Sequence, residues 1–254
     1  MTLLPHAGLA DGVRIFAAGS LNEVFTDLIK AFPAPAGSVA TPVFGPSGLM
    51  RERIEHGEPA DILASADMEQ PRKLAHGGQP VILFTRNRMC ALGRASLGLT
   101  PDAVLDRMLD PAVRLATSTP GVDPSGDYTW AIFGRAEGLH PGAQAVLQKK
   151  ALQLYGGRDT PPLVPGHGAV QGIFLANRAD LVLAYCGGSA AILKDVPGLV
   201  SVSLPAALSV GPAYGMVVLS DQLPAARFAL FVMSERGQAI LQQHGFDPVG
   251  IAGP

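Results

Sequence analysis

An alternation of short apolar runs with helical faces is the feature that most constrains what this chain can fold into. Residues 13–18 (VRIFAA) read as a buried strand. Leu21, Val24, Phe25, Leu28, Ile29 and Phe32 follow at the spacing of one helical face. Ser20 stands where an N-cap belongs, and Glu23, three residues on, completes a capping box. The next unit repeats the design. Residues 38–44 read as a strand, Ser47 opens a helix that Gly57 stops, and residues 61–65 (DILAS) form a further strand before a helix that begins at Asp67. Each helix of such a chain must bury one apolar face on a sheet, which predicts an α/β fold with mostly parallel strands.

The alternation runs on toward the C-terminus. Residues 80–92 read as one or two strands broken near Arg86-Asn87, 101–109 as a helix, 113–117 as a strand, and 125–137 and 141–149 as helices. A Gly/Pro-rich stretch, GGRDTPPLVPG, comes next. After it come a helix over 168–177, strands over 181–185, 199–203 and 213–219, and helices over 222–233 and 235–244. Periodicity does not decide between one sheet and two, and 254 residues suffice for one large domain or two small ones. No apolar run of about 18 residues is free of breakers, so no membrane span is expected. A net charge of −2 and the lack of a Lys/Arg run speak against a nucleic-acid partner. The opening residues, MTLLPHAGLADG, lack the basic and apolar segments of a signal peptide; a cytoplasmic chain and a chain relieved of its leader both fit. Cys90 and Cys186 stand in no metal-ligand spacing. A disulfide is open to them in an oxidising compartment, but buried free thiols are the expectation.

Ligands of open α/β sheets bind outside the carboxyl ends of the strands, so the strand-to-helix turns carry the functional question. Three of them share one chemistry: Ala17-Ala18-Gly19-Ser20, Gly45-Pro46-Ser47-Gly48 and Asp123-Pro124-Ser125-Gly126-Asp127-Tyr128. Each sets serine and glycine at an expected helix start. A helix start offers unpaired N–H groups and roughly half a positive charge, enough to hold an anion without a cationic side chain. Serine is also a preferred N-cap, and capping accounts for each turn taken singly. GxxxxGK[ST] and GxGxxG are both absent, which removes support for a nucleotide. There is no GxSxG elbow either, because Leu49 stands where its second glycine belongs; His167 is the one plausible base for a Ser47 nucleophile.

Five blocks, FAAGSL (16–21), FGPSGLMRERIEHGEPADILASAD (44–67), VDPSGDY (122–128), GAVQGI (168–173) and LAYCGGSAA (183–191), together resemble the molybdate-binding proteins of ABC transporters. The blocks keep that family's order and similar separations over almost the whole chain, and the second is the most distinctive. The resemblance implies a two-lobed, type II periplasmic-binding fold, each lobe a mostly parallel sheet flanked by helices, with a ligand cleft between. Residues 1–86 and 212–254 would form lobe 1 and residues 87–211 lobe 2, with crossings near 85–92 and 205–214. It further implies a monomeric, periplasmic solute-binding protein of an ABC importer. Such a protein has no cofactor and no catalytic residue, and it hands molybdate or tungstate to a membrane permease. The family's ligand positions fall on Ser20 and Ser47 through hydroxyl and backbone N–H. They fall also on Ser125, where the family often has alanine and uses the N–H, on the Val170 backbone N–H, and on the Tyr185 hydroxyl. Tyr128 matches a family tyrosine near the anion, and Gly48 would keep its helix start open to the ligand. All of these would meet the oxygens of the anion; none is a metal-ion ligand.

The chain also departs from that family. Cys186-Gly187-Gly188-Ser189-Ala190 replaces a Ser-Asp-Ala sequence, Gln171 replaces an arginine, and Gly45-Pro46 replaces small polar residues. Pro46 has no N–H to give. A donor-only site selects a fully ionised anion, because a protonated one brings an O–H that needs an acceptor such as a carboxylate, which these turns do not obviously supply. That favours molybdate, tungstate or sulfate over hydrogen phosphate. The alternatives are another anion (sulfate, thiosulfate or a small organic anion), or a cleft enzyme or sensor domain on the same fold. For an enzyme, Asp123 and Asp127 are the nearest acid/base candidates, neither with an evident partner.

Overall fold

The computed structural model describes residues 12–35, 38–160 and 164–250. The opening residues considered above for a leader, and part of the Gly/Pro-rich stretch, lie outside the described residues. β1 (Ile15–Ala18) leads through one 3-10 turn into α1 (Asn22–Ala31), β2 (Val43–Gly45) into α2 (Ser47–Glu55), and β3 (Ile62–Ser65) into α3 (Glu69–Leu74), followed by β4 (Val81–Arg86). The second lobe comprises β5 (Met89–Arg94), α4 (Val104–Leu109), β6 (Leu115–Ser118), α5 (Pro124–Leu139), α6 (Ala143–Lys150), β7 (Leu152–Tyr155), α7 (Ala169–Leu175), β8 (Leu181–Tyr185), α8 (Ser189–Asp195) and β9 (Leu199–Ser203). The chain returns as β10 (Ala213–Val218), α9 (Leu223–Met233), α10 (Glu235–Gln243) and β11 (Asp247–Pro248).

The described residues form two sheets, in the orders β11-β4-β10-β3-β1-β2 and β7-β6-β8-β5-β9. The βα units pair in parallel, as the alternation demands, but the strands next to the crossings pair antiparallel, β10 with β3 and β4 and β5 with β8 and β9, so each sheet is mixed and not mostly parallel as expected. The apparent strand at 80–92 is therefore two strands, one in each sheet, with the break at Asn87-Arg88. The face read in α1 packs as its spacing requires. Val24, Phe25 and Leu28 are buried, and Phe25 meets Phe84 of β4 and Phe228 of α9 edge-on at centroid distances of 6.0 and 6.1 Å. Such edge-to-face pairs contribute about 0.5–1.5 kcal/mol beyond the area they bury. Burial pushes the Asp61 carboxyl up, but bonds from the Arg14 guanidinium and backbone N–H outweigh it and hold the carboxyl below its usual value. Glu58-Pro59-Ala60-Asp61 thus ends in a structural anchor.

Two further sequence expectations fail. The capping box at Ser20 and Glu23 does not form: Ser20 lies in the 3-10 turn, and Leu21, the N-cap of α1, makes no side-chain capping bond. The cysteines are not free thiols. Antiparallel pairing of β5 with β8 sets Cys90 opposite Ala184, and the chain turns after Tyr185 so that Cys186 comes within 5.0 Å of Cys90, Cα to Cα, and the two form a disulfide.

Candidate functional site

A cavity of about 740 Å³ opens between the lobes. The carboxyl ends of β1 and β2 reach it from the first lobe, and the starts of α5 and α7 and the end of β8 from the second. Ser20, Ser125, Val170 and Tyr185 all line it, so the fold brings together four of the seven residues expected at the site. Among the described residues no lysine or arginine lines the cleft. A smaller depression of about 480 Å³ lies around Glu52, Arg53, His56, Glu58 and Arg158. Its arginines are spent on Glu58 and Glu52, so it offers no converging set of unpaired donors.

Tyr185 ends β8, only 8 % exposed, and its hydroxyl has no hydrogen-bond partner among the described residues. Leaving a buried hydroxyl unpaired costs about 1–3 kcal/mol. Burial and the neighbouring Tyr214 hold its pKa well above the ordinary tyrosine value, so it stays a neutral donor. Val170 is the second residue of α7, and the first N–H groups of a helix have no carbonyl inside it to bond. Ser125 follows Pro124 at the start of α5. Its Oγ lies 3.2 Å from the Tyr155 hydroxyl, whose proton goes to the Leu183 carbonyl at 3.1 Å. That commitment makes Ser125 the donor of the pair, so its hydroxyl must turn to serve a ligand. The helix start itself packs tightly: a Cβ on Gly126 would lie 2.4 Å from the Pro120 nitrogen, so no larger residue fits there.

Ser20 is held by residues that sequence reasoning missed. Asn87 Oδ1 accepts from the backbone N–H of Arg88 (2.8 Å) and of Gly187 (3.0 Å), which fixes the amide so that Nδ2 donates to the Tyr214 hydroxyl at 3.4 Å. Tyr214, fully buried in β10, lies 3.0 Å from Ser20 Oγ. Once Tyr214 accepts from Asn87, its own proton goes to Ser20, and the Ser20 proton is left for the cleft. The only signal in the sequence was the strand break at Asn87; nothing marked Tyr214.

Ser47, Gly48 and Tyr128 are placed differently from expectation, and none of them lines the cavity. Ser47 does open α2, but it is fully buried and its Oγ accepts from the Ala66 N–H at 3.1 Å. Gly48 does not keep the helix start open: its N–H donates across the lobes to the Val122 carbonyl at 3.0 Å. A Cβ on Gly48 would sit 2.5 Å from that oxygen, so the glycine serves the approach of the second lobe. The Tyr128 hydroxyl accepts from the Ala213 N–H at 3.3 Å, on the returning crossing, and burial pushes its pKa up to about 12. These contacts hold one flank of the lobes together.

The expectation that the turns supply no evident carboxylate acceptor is also corrected. Asp123 lines the cleft and is half-buried. It occupies the N-cap position of α5 without making a side-chain capping bond, and Ser118 Oγ donates to its Oδ2. Burial pushes the carboxyl up to about 6; the Ser118 hydroxyl and the nearby Ser125 N–H pull against this, and the charges of Asp127 and Asp67 add to the push.

The sequence matches the family model described as bacterial extracellular solute-binding protein over residues 13–247. An uncharacterized protein of Pasteurella multocida is 31% identical over 239 residues, covering 93% of this chain and 98% of the relative. The molybdate-binding protein ModA of Mycobacterium bovis is 26% identical over 253 residues, covering 94% of this chain and 87% of its own length. Among solved structures, the sulfate-binding protein SubI of Mycobacterium tuberculosis superposes with a TM-score of 0.76 at 17% identity, over 94% of this chain and 87% of that one, a likeness of fold. On the match over 13–247, this chain belongs to the bacterial extracellular solute-binding protein family.

Proposed function

We propose that this protein is the solute-binding component of an ABC importer and that its cleft holds a tetrahedral oxyanion, molybdate or tungstate, through neutral donors. The observation that carries the reading is the Tyr185 hydroxyl, buried and unpaired at a cleft wall with no cationic side chain. An anion oxygen would supply the missing acceptor, and a hydrogen bond to a charged group is roughly twice as strong as a neutral one. Ser20 and Ser125 would add hydroxyl donors, and Val170 a backbone N–H. Ser47 and Gly48 would shape the lobe contact behind the anion, and Tyr128 would hold the second lobe to the crossing. The relationship to a molybdate-binding protein supports the choice of anion.

In this reading, residues 1–86 and 212–254 move as one lobe and 87–211 as the other, about the two crossings, and the closed form docks on a membrane permease. The Cys90–Cys186 disulfide favours an oxidising compartment such as the periplasm. Sulfate is the second reading, favoured by the fold likeness to a sulfate-binding protein and served by the same donors. A thermal-shift series with molybdate, tungstate, sulfate, thiosulfate, phosphate and small carboxylates tests both. A large upward shift with molybdate and tungstate is expected; stabilisation by sulfate alone selects the second reading, and no shift with any oxyanion refutes both.

A further inference from the structure

A carboxyl in the wall of an anion site needs an explanation, since an ionised one repels the ligand. We propose that Asp123 brings a proton into the complex, so that a fully deprotonated dianion is bound together with one proton shared between an anion oxygen and the Asp123 carboxyl. This inference rests on the oxyanion reading of the cleft and adds a coupling to it.

The geometry gives Asp123 this role. Asp123 lines the cleft two residues before Ser125, and its Oδ2 accepts from Ser118 of β6, so among the described residues the carboxyl is held by neutral donors and by no cation. The charged and titratable groups around it supply no positive charge. Asp127 and Tyr128 stand on α5, Asp67 follows β3, and Tyr155, Tyr185 and Tyr214 belong to β7, β8 and β10. Burial outweighs the bonds from Ser118 and the Ser125 N–H, and with a smaller push from Asp127 and Asp67 the carboxyl is raised to about 6. Farther along the cleft wall are Glu23, Asp195 and two histidines, His167 and His244, of which His244 Nε2 is 3.0 Å from Asp27. A dianion entering this pocket adds negative charge beside a carboxyl that is already costly to ionise. The same field that repels the carboxylate favours its protonated form, and the protonated form is a further O–H donor to the anion. The proton comes from solvent, and it returns there on release.

The coupling makes two measurable statements. Above the pKa of the free carboxyl, the affinity for molybdate falls about tenfold for each pH unit, the slope of one linked proton. Molybdate binding at about pH 7.5, titrated calorimetrically in two buffers of different ionisation enthalpy, takes up close to one proton. Asp123→Asn keeps a good helix-cap residue and an acceptor for Ser118, so it is expected to fold. In this variant, uptake should drop to near zero, the pH slope should flatten, and molybdate should bind more tightly than in the wild type at the same pH. Proton uptake near zero in the wild type, or uptake unchanged in Asp123→Asn, overturns the proposal and leaves the oxyanion reading standing. Absence of binding heat with molybdate and sulfate alike ends the oxyanion reading and this inference with it.

Discussion

Replacing Tyr185 with phenylalanine removes one oxygen atom, and two effects of opposite sign should follow. In the free protein that oxygen is buried and unpaired, at a cost of about 1–3 kcal/mol. The ring itself packs against Tyr214 and Tyr128 at centroid distances of 5.5 and 6.4 Å, contacts that phenylalanine keeps. The unliganded variant should therefore be more stable by about 1 kcal/mol, a rise in Tm of roughly 2–4 °C for a chain of this size. In the complex the same oxygen would donate to an anion, and hydrogen bonds to charged groups contribute about 1.5–3 kcal/mol. The Kd for molybdate should then rise about 10- to 150-fold. Differential scanning calorimetry of the free protein and isothermal titration with molybdate read the two effects separately. A variant that melts lower than wild type and binds molybdate equally well would refute the reasoning, because the hydroxyl would then be satisfied inside the protein and absent from the site.

Three further outcomes are expected. Tyr214→Phe removes the group that turns the Ser20 proton toward the cleft, so molybdate affinity should fall about fivefold, roughly 1 kcal/mol. In a double-mutant cycle with Ser20→Ala the two losses should not add. Replacing Cys90 and Cys186 by serine opens a loop of 96 residues, and urea unfolding should show a loss of about 4–5 kcal/mol. Asp61, held below its usual pKa, contributes stability that is complete above the unfolded carboxylate value of about 4 and is lost as pH falls through the lower folded value. Asp61→Asn should accordingly flatten the acid limb of a stability-versus-pH curve. At neutral pH it should cost about 2 kcal/mol, less than a fully buried pair because the Arg14 side chain is 37% exposed.

What the sequence made legible follows the range of the interactions involved. The face from Leu21 to Phe32, the serine turns and the break at Asn87 are local patterns, and the α/β class was legible in them; the division into two lobes came only with the family resemblance. The contacts that set the site are long-range. Ser20 looked like a cap because its neighbours fit a capping box, but Tyr214, 194 residues away, holds its hydroxyl. Ser47 looked like a donor open to the ligand, but the fold buries it fully behind the cleft, where its oxygen accepts from the N–H of Ala66, just after β3. The cysteine pairing depends on the register of β5 against β8, which no local pattern reveals. Asp123 read as a turn residue and as an acid/base candidate without an evident partner, and only the folded β6 brings Ser118 to its carboxyl. Short elements were lost for another reason. β7 is a four-residue edge strand with no fully buried residue, and α8 is seven residues long with none buried, so neither carries a clear apolar face.

The central claim is that an oxyanion sits in the interlobe cleft against neutral donors. A crystal structure of the protein grown with tungstate, located by its anomalous scattering, tests that most directly. The expected result is one strong peak in the cleft, with an anion oxygen within hydrogen-bond reach of the Tyr185 hydroxyl and of Ser20 Oγ, and no lysine or arginine in contact. A peak outside the cleft, or an empty cleft in crystals soaked well above any specific binding threshold, would contradict it.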